Sequence, residues 1–394
     1  MPIPSLPPEI LDSIIDLLRD EPETLKECCL VAKSWIPCTR KHLFADIQFS
    51  SIDDLRLWKK TFPDSANSPA HHTRTLFISC AEADVAVNEG ENGWIQAFSG
   101  VTSLGLDSYS GFIGPQVSLI PFHKFLPTLK SLHAHSLLLP FPQLFTFVLS
   151  YPLLEDLTVA GVDFGGDNDN DDIHESSAAI PSTPPPLAGT LHLEIARGIG
   201  NTVRRLLGLP TGLHFRKLVF WWSHAKDFPW IMELLIRCSN SLECLDVMCN
   251  VPCKLILILR QSFPSPNLPV LVDLEPEASI DLSKATRLKT VALRIKSWSF
   301  SVGWIDMALR TIVPEHRHLS EISIHVSSSF EGSDIRRAMG EAAFGRWLDL
   351  DHVLVQLWES HSIRPRIEWK QYDTESGLAY LLPEAVKRGI IDPI

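Results

Sequence analysis

The chain has 394 residues, 47 of them acidic and 35 basic, and carries a formal net charge of -12 near neutral pH. Apolar residues make up 45% and charged ones 21%, which excludes an intrinsically disordered chain. The negative charge argues against a nucleic-acid partner, because affinity for polyanions comes mainly from Lys and Arg neutralising phosphates.

The first residues, Met1-Pro2-Ile3-Pro4-Ser5, have neither a basic stretch nor a long apolar run, so no secretory signal is expected. Pro7, Pro8, Ile10, Leu11, Ile14, Ile15, Leu17 and Leu18 follow helical spacing, with the prolines where a helix's first N–H groups need no partner. Asp20-Glu21-Pro22-Glu23 breaks the chain and starts a second helix. Leu25, Cys28, Cys29, Ala32, Trp35 and Ile36 mark its inner face, and Pro37 is expected to end it. Cys38 to Phe44 reads as a third short helix. Residues 1–48 therefore form a small three-helix unit, followed by a linker helix over 49–72.

From residue 73 a strand pattern recurs, in which an apolar residue is followed three and five positions later by two more. Leu242-Glu243-Cys244-Leu245-Asp246-Val247-Met248-Cys249-Asn250 is its fullest copy. The central apolar residues fall at 76, 104, 132, 157, 191, 218, 245, 291 and 322, at intervals of 28, 28, 25, 34, 27, 27, 46 and 31. Leucine-rich repeats have periods of about 20–29 residues, and the two longest intervals contain insertions. One runs over 163–189, acidic, Pro-rich and expected to be disordered; the other, Phe263 to Pro276, has room for a degraded copy around Leu268 and Leu271. Helical patterns lie between copies at Gln143–Ser150, Asn201–Leu209, Trp230–Asn240, Lys254–Gln261 and Trp304–Val313. No single unit closes a core, so neighbours must stack. The expected class is α/β: an irregular, right-handed, leucine-rich-repeat-like solenoid, or horseshoe, over 73–394. A helix at Glu341–Glu359, a strand at Ile363–Lys370 and a helix at Leu378–Arg388 are expected to cap it.

The N-terminal unit resembles the F-box. Leu6-Pro7-Pro8-Glu9-Ile10-Leu11, then Ile14, Leu17 and Leu18, then Leu30-Val31-Ala32-Lys33-Ser34-Trp35 meet its pattern with one departure, Ala32 where Cys or Ser is commoner. The pairing with irregular leucine-rich repeats looks like the large F-box families of fungi. The resemblance implies docking on a Skp-type adaptor and, through it, a cullin, with Leu6, Pro7, Ile10, Ile14, Leu30, Val31 and Trp35 on the adaptor surface. It implies the substrate-recognition subunit of a ubiquitin ligase, with the downstream domain holding a protein substrate. An interaction scaffold that binds the adaptor without assembling a ligase is the alternative. Ile14, Leu18, Leu25 and Trp35 would be apolar in any small bundle; Leu6-Pro7, ahead of the helix, is the more telling pair.

Enzyme motifs fail. Neither a G-x-S-x-G elbow nor a phosphate-binding G-x-x-x-x-G-K-[ST] loop occurs, and Val203 stands where the Gly198-Ile199-Gly200 stretch would need its third glycine. Asp167, Asp169 and Asp171 imitate a calcium loop, but Asp172 and Ala178 replace its Gly and its bidentate Glu. Cys238, Cys244, Cys249 and Cys253 lack a C-x-x-C pair, and the eight cysteines read as reduced thiols of a cytoplasmic or nuclear protein. The longest aliphatic run, Leu255 to Leu259, falls far short of the roughly 18–20 residues that cross a membrane. No cofactor, metal or membrane contact is expected. The non-core side of the strands, concave in a solenoid, is the expected substrate face: Phe77, His133, His135, His192, Glu194, Trp221, Asp246, Arg294 and His325.

Overall fold

The computed structural model describes residues 7–79, 93–107, 127–136, 141–161, 185–194, 199–209, 212–222, 228–249, 280–295, 302–327, 341–361, 363–370 and 379–393. The chain is α/β, with parallel strands interleaved with helices, and divides into two compact units, Met1–Pro186 and Leu187–Ile394.

The first unit opens with α1 (Pro8–Leu17), α2 (Pro22–Val31) and α3 (Ile36–Leu43). Pro8, Pro22 and Pro37 each lie in a first helical turn, where the missing N–H is not needed. This corrects the expected second helix. The expected helix continues through Ala32, Trp35 and Ile36 to end at Pro37, but a proline, lacking the N–H, suits the first turn of a new helix, and Pro37 falls in that turn of α3. Instead α2 stops at Val31, Ala32 is extended (φ -154°, ψ 146°), and a 3-10 turn at Lys33–Trp35 leads into α3. Leu11, Ile15, Leu25 and Cys28 form the buried core of this unit, with Leu18, Trp35, Cys38 and Leu43 packed against it.

The sheet begins earlier than the boundary at residue 73. Strand β1 (Asp46–Phe49) pairs in parallel with β2 (Thr75–Ser79), so the first strand overlaps the end of the 1–48 segment. Four residues of modest hydrophobicity are too short a run to stand out by periodicity. Between them, α4 (Ile52–Thr61) is the expected linker helix. A reciprocal cap starts it: Ser51 Oγ accepts from the Asp54 N–H (3.2 Å) while Asp54 Oδ2 accepts from the Ser51 N–H (2.9 Å). Trp58 on α4 gathers Phe44, Phe49 and Phe98 around it, with ring centroids 5.7–5.9 Å away, and so ties the end of α3 to the sheet. The unit continues with α5 (Gly93–Gln96), β3 (Ser103–Asp107), β4 (Ser131–His135), α6 (Phe141–Leu149) and β5 (Asp156–Ala160).

The second unit contains β6 (Thr190–Glu194), α7 (Ile199–Leu207), β7 (Lys217–Trp222), α8 (Phe228–Cys238), β8 (Cys244–Cys249), β9 (Thr290–Ile295), α9 (Gly303–Arg310), β10 (Glu321–Ser327), α10 (Glu341–His361), β11 (Pro365–Lys370), α11 (Pro383–Lys387) and β12 (Asp392–Pro393). Four of the five helices expected between strands are present; the fifth, Lys254–Gln261, lies outside the described residues, as does the 163–184 part of the acidic insertion.

Within each unit the strands lie in chain order, each parallel to the next, and the expected central residues fall in one row. In the first unit Ile47, Leu76, Leu104, Leu132 and Leu157 are register partners; in the second, Leu191, Leu218, Leu245, Val291 and Ile322. A second core row runs two residues on, through Ile78, Leu106, Ala134 and Val159, and through Leu193, Phe220, Val247, Leu293, Ile324 and Ile367. Both rows are buried except at Ile47, which is half-buried, and the leading residues Val101, Leu129, Leu154, Phe215, Leu242, Leu288 and Leu319 are buried too. β8 pairs directly with β9, and the degraded copy expected around Leu268 and Leu271 lies outside the described residues.

One hydrogen-bond pattern recurs at the start of the strands. The carbonyl of Arg74 accepts from two successive N–H groups, those of Thr102 and Ser103. The Thr102 carbonyl does the same for Lys130 and Ser131, and that of Lys130 for Glu155 and Asp156. In the second unit Gly189, Arg216, Glu243 and Lys289 repeat it, all at 2.7–3.2 Å.

The C-terminal segment carries both expected helices, but β11 and β12 also extend the parallel sheet. The buried Asp351 of α10 accepts from the N–H groups of Glu384 and Ala385, each at 2.9 Å, and so caps α11 from outside. Asp351→Ala leaves both donors buried or half-buried without that acceptor. Urea denaturation of this variant is expected to show a loss of roughly 2–3 kcal/mol, with Asp351→Asn, which keeps one acceptor, losing less.

Candidate functional site

Two surfaces carry the residues singled out above. The first is on the helical unit. Along α1, Leu11, Ile15 and Leu18 point to the core, while Ile10, Ile14 and Leu17 form a second stripe one residue out of step. That stripe is left outside: Ile10 is 48%, Ile14 38% and Leu17 84% exposed. At the end of α2, Leu30 and Val31 are 87% and 66% exposed. Two adjacent stripes exceed what a helix needs to pack against a small bundle, and the outer one has no intramolecular core to fill. Pro7 is exposed ahead of α1, whereas Leu6 lies outside the described residues. Trp35 differs from the others: it is half-buried against Leu11, Ile15, Leu25 and Cys28, and so braces the helices from within. Leu17 was not among the expected surface residues, although its spacing from Ile10 and Ile14 marks it.

The second surface is the non-core side of the strands. In the first unit, Phe77, Gly105, His133 and Thr158 occupy one row, and Asp107 and His135 are partners in the next. The Phe77 ring lies on Gly105, where any Cβ would collide with it. His133 Nε2 is 3.0 Å from Ser131 Oγ. Burial, reinforced by the neighbouring His135, holds the His133 pKa below its usual range, with Asp156 opposing.

In the second unit, Glu194, Trp221, Met248, Arg294, His325 and Glu368 form one row, while His192, Val219 and Asp246 belong to the adjoining one. Six of the expected substrate residues, His192, Glu194, Trp221, Asp246, Arg294 and His325, are thus brought together within this unit, and several engage one another. Arg294 donates to both Asp246 carboxylate oxygens, at 2.7 and 2.9 Å. This hydrogen bonding raises the Arg294 pKa, and Glu368 adds to the effect. His325 Nδ1 lies 2.6 Å from Glu368 Oε2, and Arg366 is 3.5 Å from the same carboxylate. His192 and Trp221 meet edge to face at 5.9 Å. Arg294 and Asp246 neutralise each other on this face. Glu368 is the member that sequence reasoning missed, because its strand was assigned to the cap; the alternation Arg366-Ile367-Glu368 carries the signal.

Cys238 is buried, which pushes its thiol pKa up to about 12, and Cys244 is half-buried; Cys253 lies outside the described residues. Among the described residues, no three His, Cys, Asp or Glu side chains are grouped to hold a metal ion, and no helix is long and apolar enough to cross a membrane. No known protein-family profile matches the chain, and no curated protein sequence does.

The lowered His133 pKa has a definite sign in stability. Between the folded value and the ordinary 6.5, the unfolded chain binds the extra proton, so stability falls as pH drops through that window. Thermal melts at pH 7.5 and 5.5 are expected to show a smaller acid-induced loss for His133→Gln than for wild type. An identical loss in both proteins removes His133 from the effect.

Proposed function

We propose that this chain is a non-catalytic substrate receptor of a Skp–cullin–F-box type ubiquitin ligase. In this reading the three-helix unit is an F-box, and the strand–helix array behind it is a leucine-rich-repeat-like solenoid that holds a protein substrate. The reading is supported above all by the outer stripe Ile10, Ile14 and Leu17 together with Leu30 and Val31. Four of these residues, all but Leu17, sit at positions that the F-box pattern assigns to the adaptor face. Apolar side chains at such exposure lose favourable transfer free energy unless another protein covers them, at about 25 cal/mol per Å².

The mechanism is proximity. The helical unit is fixed to the adaptor, and substrate held on the strand face gains a high effective concentration near ubiquitin activated on another subunit. The Asp246–Arg294 ion pair and the His325–Glu368 contact keep the face polar. Substrate recognition then rests on shape and on side chains such as Trp221 and Met248, which are half-buried beside them.

Ile10→Ala combined with Leu30→Ala is expected to weaken binding of a purified Skp-type adaptor by about 2 kcal/mol, roughly thirtyfold, the scale of an interface hot spot. Leu6→Ala with Pro7→Ala tests the segment before α1 in the same way. Ile10 and Leu30 are exposed, so the melting temperature of the first variant should not fall. Adaptor binding that is unchanged in both variants overturns the assignment. Retained adaptor binding with no cullin in the assembled complex supports the scaffold alternative.

A further inference from the structure

Four basic residues of the first unit lie on two elements that pack together, α3 and a 3-10 turn. Arg40 and Lys41 occupy the last turn of α3. His71 and His72 belong to a 3-10 turn, Pro69–His72, that packs on the same helix. The two imidazoles are stacked, with centroids 3.9 Å apart and planes tilted by 48°. His71 Nδ1 lies 2.6 Å from the Ser68 carbonyl, which only accepts, so that nitrogen carries the proton and Nε2 faces away. His72 is half-buried. Its pKa is held below the ordinary value by burial first, and then by the positive charges of His71, Arg40 and Lys41.

Nearby negative charge is already committed. Asp16 on α1 lies 2.7 Å from His42 and only 3.8 Å from Lys41, while Arg40 is exposed with no ion pair among the described residues. The negative end of the α3 dipole accounts for basic residues in its last turn. It gives no reason for a second element to bring two histidines to the same helix. In a chain of net charge -12 this local excess of cations stands out.

We propose that Arg40, Lys41, His71 and His72 form a binding site for a phosphate group. Two permanent cations beside two titratable imidazoles match a dianion with three acceptor oxygens better than they match a single carboxylate. Binding then takes up a proton, because the anion offsets the burial and the repulsion that together lower the His72 pKa. The site uses none of the residues of the exposed apolar stripe of α1 and does not depend on the adaptor reading.

The test is an NMR titration of the histidine C2 protons in the full chain at low ionic strength, with His72→Gln identifying the resonance. Inorganic phosphate in the millimolar range is expected to raise the His72 pKa saturably. Arg40→Gln with Lys41→Gln should raise that pKa in the free protein by removing the repulsion, and weaken the phosphate response at least tenfold. A short phosphoserine peptide that binds more tightly than inorganic phosphate assigns a phosphorylated protein as the source; equal affinity assigns the free anion. No saturable shift, or the same shift in the double variant while its thermal melt is unchanged, overturns the site.

Discussion

Strands β3–β5 and β7–β10 are each placed by one backbone carbonyl of the preceding repeat that accepts two successive N–H groups. The Arg74, Thr102 and Lys130 carbonyls do this in the first unit, and Gly189, Arg216, Glu243 and Lys289 in the second. This forked contact fixes where a strand begins relative to its predecessor. A shift of one residue would turn every inward leucine to the opposite face. Because the fork uses only main-chain groups, side chains at these positions are free to vary. That explains how Arg, Thr, Lys, Gly and Glu all serve at one structural position, and why the repeats look irregular in sequence while their registers agree.

The helical unit is built on a different principle. Its core is only a few side chains deep, centred on Leu11, Ile15, Leu25 and Cys28. A unit this small gains little from burial alone. The aromatic cluster around Trp58 supplies a second anchor by joining the end of α3 to the first strand. With both contacts in place, the outer apolar stripe of α1 and the end of α2 are left over, which is the reason to read them as a docking surface.

On the strand face of the second unit the charged residues satisfy one another before any partner arrives. Bidentate Asp246–Arg294 and close His325–Glu368 contacts stiffen the side chains across neighbouring strands. A preorganised face of this kind loses less side-chain freedom on binding than a set of free lysines and glutamates would.

The sequence by itself determined the strand rows: the residues at 76, 104, 132, 157, 191, 218, 245, 291 and 322 are strand centres, and within each unit they are register partners. Buried apolar side chains leave a periodic trace, and a recurring period is visible without any knowledge of the fold. The apolar excess of α1 was legible for the same reason. Tertiary structure alone decided what has no such trace. The strand at Asp46–Phe49 is too short to show periodicity, and β11 joins the sheet only because β10 lies beside it. The pairing of Arg294 with Asp246 spans 48 positions, and the meeting of Arg40 and Lys41 with His71 and His72 depends on how a turn packs on α3. Polar contacts between distant segments are set by packing geometry, and neighbouring residues in the chain carry no record of them.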